Sequence, residues 1–426
     1  MSAVRVIGAL DRSFGWDGER LVGAGDLPAA LRGAAAAVEP AGAGWRILRD
    51  PLGINKLFWV HEGDGGIAFA ARPSRLIADG HPLGEIRAVP RGAVIQLPGP
   101  DERSLVPDEW SSPATAEPEV AAEEIRATLD RYLAALAAVH PSDQAYVCLS
   151  GGLDSSGVAA LVRDRFPNAV AVSFDLSGPA GRSEDRLAAE RVASELGMPL
   201  LEADVDGDGL LAHLDTVLVE GIDWRDFNVH AALVNAVLAD AIRTASGGSE
   251  ALVFTGDLAN ELLIDYSAER YKGVTYYELP RLAPLALRAS LVRGLDTSHR
   301  EVGVFEAFGL PVVQPYAVAV DAYLSLPEAF LRLPDRKERL CRAVFGEELP
   351  SFVYKRPKAR AQVGGGDAGG GVLAACLDRG VDAAVLRRRF AELHGVEAPE
   401  ELDRFIRAGR YRTATPTLTG RTGEPV

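Results

Sequence analysis

The sequence of 426 residues contains few cysteines and no excess of basic residues. Its three cysteines, Cys148, Cys341 and Cys376, lie too far apart for a disulfide framework or a CxxC metal motif. Lysine and arginine number 45 against 60 acidic residues, a net charge of −15, which leaves no basic field for a nucleic-acid backbone. No uninterrupted apolar run reaches the roughly 18 residues of a membrane helix, and the first residues lack a signal-peptide pattern. We therefore expect neither nucleic acid nor membrane as a partner, and a cytoplasmic location.

Short apolar runs punctuated by turn residues dominate the first 105 residues and predict a small, mostly antiparallel β domain. A stretch rich in proline, serine and acids follows, so we predict a linker at residues 106–120. The predicted strands are Val4–Leu10, Trp45–Leu48, Leu57–His61, Ile67–Ala71 and Ala93–Leu97.

From residue 121 onward, strands alternate with helices, which predicts a doubly wound parallel sheet with a helical C-terminal part over residues 121–410. Ser183 fits the N-cap of a helix that ends at Gly197. Residues 411–426 are expected to form a disordered tail. Ligands in such sheets bind at the carboxyl ends of the strands. The predicted strands are 146–149, 169–174, 200–205 and 251–254.

The most specific motif is SGGLDS at residues 150–155, between a predicted strand and a predicted helix. Gly151 and Gly152 free backbone N–H groups to face one concavity, and the helix N-terminus favours an anion such as pyrophosphate. Ser150 and Ser155 add hydroxyl donors. Asp154 is suited to Mg²⁺ that bridges the phosphates. A Walker A loop is excluded because the sequence has no Gly-Lys dipeptide.

SGGLDS resembles the pyrophosphate loop of the N-type ATP pyrophosphatases, and other segments resemble the asparagine synthetase superfamily. The resemblance covers roughly residues 45 to 365 and implies ATP and Mg²⁺ as cofactors. It also implies that the first domain is glutaminase-like, with an Ntn-hydrolase-like fold. The further segments are RDPLGINKLF at 49–58, FAARP at 69–73, TGDLANE at 255–261, and RPK at 356–358.

Two departures suggest that this first domain is truncated and does not hydrolyse glutamine. Ser2 stands where an asparagine synthetase has its catalytic cysteine. Only 34 residues separate Leu10 from Trp45, too few for the HRGPD and NGE motifs of the family. The β-lactam synthetases and lasso-peptide cyclases resemble this arrangement and use an amine already present in the substrate. Asp257, where β-lactam synthetases carry a tyrosine, weakens the case for β-lactam closure.

The resemblance and the topology together place the nucleotide and metal. Ser173 and Phe174 end the second predicted strand, beside the expected adenine position. Asn260 stands where the family has its second Mg²⁺-binding aspartate, so Asp257 or Glu261 is expected to take its place. The alternative is that both are ordinary first-turn acids. The expected cofactor-binding residues are Ser150, Gly151, Gly152, Asp154, Ser155, Ser173, Phe174 and Gly256, and the expected metal ligands are Asp154, Asp257 and Glu261.

The resemblance implies two half-reactions: adenylation of a carboxylate by ATP, and attack of an amine on the acyl-adenylate. The expected catalytic residues follow from the second of these. Lys358 is expected to stabilise the tetrahedral oxyanion, and a carboxylate among Asp257, Glu301 and Glu306 to act as the base. Helical spacing lets only one of Glu301 and Glu306 face the site, and the sequence does not decide which.

A polar cluster before a predicted helix could line the pocket for the acyl substrate. It consists of Asp223, Arg225, Asp226, Asn228 and His230, of which Asp226, Asn228 and His230 are the expected substrate-binding residues. The alternative is that Asp226 or Asn228 caps the helix and His230 is an ordinary partly buried imidazole.

The predicted function is an ATP-dependent synthetase that adenylates a carboxylate, releases pyrophosphate and joins the acyl group to an amine without glutamine. We expect a small-molecule or peptide carboxylate and an amine as substrates, a role in natural-product or antibiotic biosynthesis, and a homodimer as one possible assembly. The alternatives are ammonia-dependent amidation and a non-catalytic ATP-binding scaffold in a biosynthetic complex.

Overall fold

The computed structural model describes residues 4–23, 26, 30–98, 102–107, 110, 114–141, 143–176, 181–357 and 370–418. Within these ranges, no helix is both long enough and apolar enough to cross a bilayer.

The N-terminal unit contains two four-stranded sheets, with strand orders β1-β5-β4-β6 and β2-β3-β7-β8. Every pairing is antiparallel except that of β1 with β5. Apolar residues of both sheets pack into a shared cluster, to which Ile47 and Ile95 contribute from one sheet and Trp59 and Phe69 from the other. The strands are β1 (Val4–Val6), β2 (Ala36–Ala41), β3 (Gly44–Arg49), β4 (Phe58–His61), β5 (Ile67–Ala70), β6 (Arg87–Ala88), β7 (Ala93–Leu97) and β8 (Glu102–Ser104).

All five strands predicted here are confirmed, although β1 ends at Val6, four residues earlier than expected. Three further strands were not predicted. The sequence of β2, AAVEPA, has Val38 as its single β-branched residue and no aromatic one, and β6 and β8 are only two and three residues long.

The second unit is built on a parallel five-stranded sheet with the order β11-β10-β9-β12-β15. The first strand of this sheet is central, and the chain winds outward first on one side and then on the other. This confirms the predicted doubly wound sheet and sets its switch point between β9 and β12. The strands of this sheet are β9 (Gln144–Cys148), β10 (Val170–Leu176), β11 (Leu200–Val205), β12 (Ala251–Phe254) and β15 (Val312–Val313). Two separate two-stranded sheets are formed by β13 (Glu269–Tyr271) with β14 (Val274–Tyr276), and by β16 (Ile406–Arg407) with β17 (Arg410–Tyr411).

Helices connect these strands and form most of the C-terminal part, as predicted. The Ser183 side chain accepts a hydrogen bond from Arg186 N at 3.2 Å, and Gly197 ends the helix in a left-handed conformation. The helices are α1 (Pro73–Ala78), α2 (Pro118–Val139), α3 (Leu153–Arg165), α4 (Glu184–Leu196), α5 (Gly207–Leu211), α6 (Leu214–Glu220), α7 (Asp226–Ala245), α8 (Ala259–Leu263), α9 (Pro284–Gly294), α10 (Val302–Ala307), α11 (Val320–Leu324), α12 (Glu328–Leu331), α13 (Arg336–Phe345), α14 (Ser351–Lys355), α15 (Gly371–Asp378), α16 (Ala383–Leu393) and α17 (Pro399–Phe405), with 3₁₀ turns at Leu83–Glu85, Leu295–Thr297, Pro315–Ala319 and Gly346–Glu348.

The two units share one hydrophobic core. Phe14 and Phe58 of the first unit belong to the same buried cluster as Leu129 of α2 and Val147 of β9. The Tyr132 hydroxyl of α2 also donates to the Phe14 carbonyl at 3.0 Å. Helix α2 begins at Pro118, inside the predicted linker, because proline is favourable in the first turn of a helix.

The expected disordered tail at residues 411–426 is not observed in its described part, which extends to residue 418. Tyr411 is buried, and its hydroxyl donates to the Ile222 carbonyl at 2.9 Å. The Trp59 indole N–H donates to the Ala414 carbonyl at 2.7 Å. These contacts with distant parts of the chain order a segment that has no periodicity of its own. Residues 419–426 lie outside the described part.

Candidate active site

A cleft lies at the carboxyl ends of β9 and β12, on either side of the switch point of the sheet. The SGGLDS loop follows β9 and the 255–257 loop follows β12, so the sheet brings together two motifs about 100 residues apart in sequence. Nine of the predicted site residues line this cleft: Ser150, Gly152, Asp154, Ser155, Ser173, Phe174, Gly256, Asp257 and Glu301.

The SGGLDS loop is held in shape by its own serines. Ser155 Oγ accepts a hydrogen bond from Ser150 N at 3.2 Å and lies 3.2 Å from Ser150 Oγ. Ser155 Oγ also donates to the Gly152 carbonyl at 3.3 Å. Gly151 is not among the residues that line the cleft; it has a φ of +69° and packs against Ala188 of α4. The first-turn N–H groups of α3 lack intrahelical partners, as at every helix start, and can bind an anion.

Gly256 allows the second loop to pack directly against the start of α3. A Cβ atom at this position would lie 2.8 Å from Ser155 N and 2.9 Å from the Asp154 carbonyl carbon. Any larger residue would therefore push the two loops apart. The Tyr316 hydroxyl also donates to the Asp154 carbonyl at 3.0 Å and fixes the same turn.

Lys337 of α13 is a site residue that the sequence analysis missed. Its Nζ donates to Asp154 Oδ2 at 2.5 Å and to Asn260 Oδ1 at 2.7 Å, and lies 3.0 Å from Asp265 Oδ2. These carboxylates raise the pKa of Lys337, although burial opposes them. The ammonium therefore joins the SGGLDS loop to α8. The available signal was its rarity, because Lys337 is one of five lysines in the chain.

Arg300 is a second residue that was missed, and it organises the acids on the other side of the cleft. Its Nε donates to Glu301 Oε1, and its Nη2 lies 3.5 Å from Glu261 Oε1. Asp257 faces the same group, and burial, followed by repulsion from Glu301, raises its pKa to about 7, while Arg300 acts in the opposite direction. The surroundings of Asp257 in the cleft therefore favour its protonated form more than water does.

Position distinguishes the two glutamates that the sequence left open. Glu301 lines the cleft. Glu306 lies in a separate cleft beside Asp11 and Arg72, where its Oε1 accepts from Arg12 N at 3.1 Å. Glu301 precedes α10 whereas Glu306 lies near the end of this helix, and the two side chains line different clefts, so the structure does not bring Glu306 to the site.

The three predicted metal ligands do not converge on one point. Among the described residues, the one group of three or more acidic, histidine or cysteine ligand atoms within 4.8 Å of one another is elsewhere, in the N-terminal unit. Glu261 does not line the cleft, and its Oε1 accepts from the Tyr266 hydroxyl. Asp154 and Asp257 do line the cleft. Because Mg²⁺ is usually held by one or two carboxylates and phosphate oxygens, these two fit a nucleotide-bound ion, and Glu261 does not.

The predicted acyl-pocket residues are also separated. Asp226 and His230 line another cavity, together with Tyr276 and residues of α15. Asn228 is buried and accepts from Arg300 Nη1 at 2.9 Å, so it supports the site without facing the cleft. Neither Asp226 nor Asn228 caps α7, whose N-cap is Arg225.

Lys358 lies outside the described residues, so the structure does not place its side chain. Arg356 and Pro357, just before it, line the cleft. Arg356 Nη1 donates to the Ser150 carbonyl at 3.2 Å, and its Nη2 donates to Asp185 Oδ1. The RPK segment therefore reaches the SGGLDS loop at its described end.

Charge in the cleft favours a nucleotide that carries a metal ion. The described lining residues include five acids and three bases. A free triphosphate would be repelled by this excess of negative charge, whereas a divalent cation bound to both the acids and the phosphates would offset it. The acids are Asp154, Asp185, Asp257, Asp265 and Glu301, and the bases are Arg300, Lys337 and Arg356.

Residues 125–303 match the model of the asparagine synthase family and confirm the resemblance for this part of the chain. The matched segment contains both cleft loops and the Arg300–Glu301 pair. No curated protein matched the chain.

Solved structures with detectable similarity include an NMN synthetase from Francisella tularensis and an NH3-dependent NAD synthetase from Campylobacter jejuni. The first is 12% identical, covers 68% of this chain and 91% of that chain, and has a TM-score of 0.32. The second is 13% identical, covers 65% of this chain and 97% of that chain, and has a TM-score of 0.31.

Proposed function

We propose that the protein is an ATP-dependent amide-forming synthetase that activates a carboxylate as an acyl-adenylate. The match of residues 125–303 to the asparagine synthase family model supports the coarser statement, an ATP-dependent ligase-type enzyme. In the first half-reaction, a carboxylate oxygen attacks the α-phosphorus of ATP and pyrophosphate leaves. In the second, an amine attacks the acyl carbon and AMP leaves with one of the original carboxylate oxygens.

The observation that carries this proposal is the convergence of two loops at the switch point. The SGGLDS loop presents the N-terminus of α3 and the Asp154 carboxylate, and the 255–257 loop presents Asp257 from the adjacent strand. Charge that develops on departing pyrophosphate would meet N–H groups already oriented toward it and a Mg²⁺ held by Asp154 and Asp257. The ammonium of Lys337 lies beside the same carboxylate.

The second half-reaction needs a group that accepts a proton from the attacking amine. Asp257 and Glu301 are the carboxyl groups that line the cleft next to Arg300, and Glu301 is fixed by the Arg300 guanidinium. We assign the base to this pair. The N-terminal unit supports a glutamine-independent reaction because the short span between Leu10 and Trp45 leaves no room for the family's glutamine-binding motifs. We place the reaction in natural-product biosynthesis, with the acid and the amine in one or two molecules.

The proposal is tested by substrate-dependent pyrophosphate release, measured with Mg·ATP and a panel of amino-carboxylic acids. Asp154→Asn should lower the rate by about 100-fold or more, because it weakens the metal contact without changing the size of the side chain. Asp164→Asn is the matched control, since Asp164 lies on the same helix but pairs with Arg163 at the surface, and it should leave the rate unchanged.

Three results would change the proposal. Release at the wild-type rate in Asp154→Asn would move the nucleotide site elsewhere. Release that requires ammonium ion, with a primary amide as product, would indicate ammonia-dependent amidation. ATP binding without release for any acid in the panel would favour the non-catalytic scaffold.

A further inference from the structure

One segment of the second unit, residues 295–306, contacts the N-terminal unit along its whole length. We call it the bridging segment. At its start, Lys56 Nζ donates to the Leu295 carbonyl at 2.9 Å, and Arg49 Nη2 pairs with Asp296 Oδ1. Both cations belong to the RDPLGINKLF segment of the N-terminal unit.

The remainder of the bridging segment is held by residues near the first and fifth strands. His299 Nε2 lies 3.3 Å from Asp11 Oδ2, and Arg72 Nη2 donates to the Gly303 carbonyl at 3.4 Å. Arg72 Nη1 also lies 2.7 Å from Asp11 Oδ1. Two independent parts of the N-terminal unit therefore hold the two ends of the segment.

The contacts of Arg49, Lys56 and Arg72 are made by buried charged groups and are not surface ion pairs. Arg49 is 0% exposed, Lys56 1% and Arg72 2%. Lys56 also donates to the Ile54 carbonyl at 3.2 Å, and Arg49 Nε donates to the Asn55 carbonyl at 2.9 Å, so each cation bonds to both units. Burial is the main cause that lowers the pKa of Lys56, to about 8. Removing such a cation leaves several buried carbonyl groups unpaired.

Gly53 permits the close approach at the start of the bridging segment. It has a φ of +69°, and a Cβ atom there would lie 2.7 Å from Asp296 Oδ1. The turn in RDPLGINKLF is therefore shaped to the bridging segment and not only to its own unit.

Arg300 and Glu301 lie between the two held ends, and these are the bridging-segment residues that line the cleft. Resting on the proposed function, we propose that the N-terminal unit positions Arg300 and Glu301 for catalysis, with Lys56 and Arg72 as positioning residues. A unit that no longer serves glutamine hydrolysis then retains a role in the synthetase reaction, since small displacements of catalytic groups cause large losses of rate.

The test compares Lys56→Met with Arg288→Met in the full-length protein. Arg288 is a matched control because it is also buried, 3% exposed, and donates to backbone carbonyls at Tyr323, Leu324 and Leu326, away from the bridging segment. Amide exchange of peptides within residues 298–303 should accelerate in Lys56→Met and stay unchanged in Arg288→Met. At a temperature well below the unfolding temperatures of both variants, kcat for amide formation should fall at least about 10-fold in Lys56→Met, with the KM for ATP unchanged.

Equal kcat in Lys56→Met and wild type, or equal losses in both variants, would overturn the positioning role. If Lys56→Met does not fold, Arg72→Lys provides the same comparison, because it retains the charge near Asp11 but cannot reach all the partners of the guanidinium. The exchange measurement requires no turnover. An inactive wild type would therefore count against the proposed function, whereas unchanged exchange at residues 298–303 would count against the positioning role.

Discussion

Lys337 should contribute much more to stability than a lysine with an almost identical ion pair at the surface. Its Nζ lies 2.5 Å from Asp154 Oδ2, with side-chain exposures of 11% for the lysine and 15% for the aspartate. Lys272 Nζ lies 2.6 Å from Asp378 Oδ1, but the exposures are 68% and 47%. The two ion pairs have nearly the same length, but Lys337 is more deeply buried and has two further partners.

Lys337→Met removes an ammonium that contacts Asp154, Asn260 and Asp265. Breaking a buried ion pair on one side costs about 3–5 kcal/mol, because the remaining charge stays desolvated. Water screens an exposed pair, so Lys272→Met should change the free energy of unfolding little. Added Mg²⁺ should restore part of the loss in Lys337→Met, because the divalent ion can take the place of the ammonium beside Asp154.

Urea denaturation of both variants, with and without Mg²⁺, measures these differences. Asp154→Asn in the Lys337→Met background should recover stability, since it removes the uncompensated carboxylate. Equal losses in Lys337→Met and Lys272→Met, or no recovery in the double variant, would refute the buried ammonium bridge.

Three further predictions concern catalysis, pH and glutamine. Glu301→Gln should lower amide formation by about 100-fold or more, and Glu306→Gln should leave it nearly unchanged. Steady-state rates of the two variants provide the comparison, and the reverse order would contradict the conclusion that Glu301 and not Glu306 belongs to the site. Burial lowers the pKa of His230 to about 4 in the folded state, below its usual value of 6.5, so only the unfolded chain gains a proton at pH 5. The stability that is present above pH 6.5 is therefore lost as the pH falls toward 4, and the free energy of unfolding should fall by about 2 kcal/mol between pH 7 and pH 5. His230→Gln should remove this part of the pH dependence, as measured by urea denaturation. If the wild type and His230→Gln had identical pH profiles of stability, His230 would not be responsible. Incubation with glutamine should release no glutamate above background, because the span between Leu10 and Trp45 is short; measurable turnover would show an active glutaminase.

Structural features that are created by one contiguous motif could be predicted from the sequence. The SGGLDS loop carries its own turn, serine contacts and helix start within six residues, so its position after β9 could be predicted. The same holds for the N-cap at Ser183 and for the alternation that defines the parallel sheet.

Features that depend on distant contacts could not be predicted in this way. Lys337 is 183 residues from Asp154 in sequence, and nothing around it indicates that its ammonium meets that carboxylate. Glu261 follows the expected motif but bonds to Tyr266, a partner that the motif does not specify. The segment after Tyr411 resembles a free tail until Trp59 and its neighbours are placed beside it.

Transfer of an oxygen atom from the carboxylate to AMP tests the central proposal most directly. A carboxylate substrate labelled with ¹⁸O should transfer one labelled oxygen to AMP during amide formation and none to pyrophosphate. The label should be absent from AMP in Asp154→Asn over the same reaction time. Labelled inorganic phosphate with ADP as the nucleotide product, or amide formation without label in AMP, would contradict the acyl-adenylate mechanism.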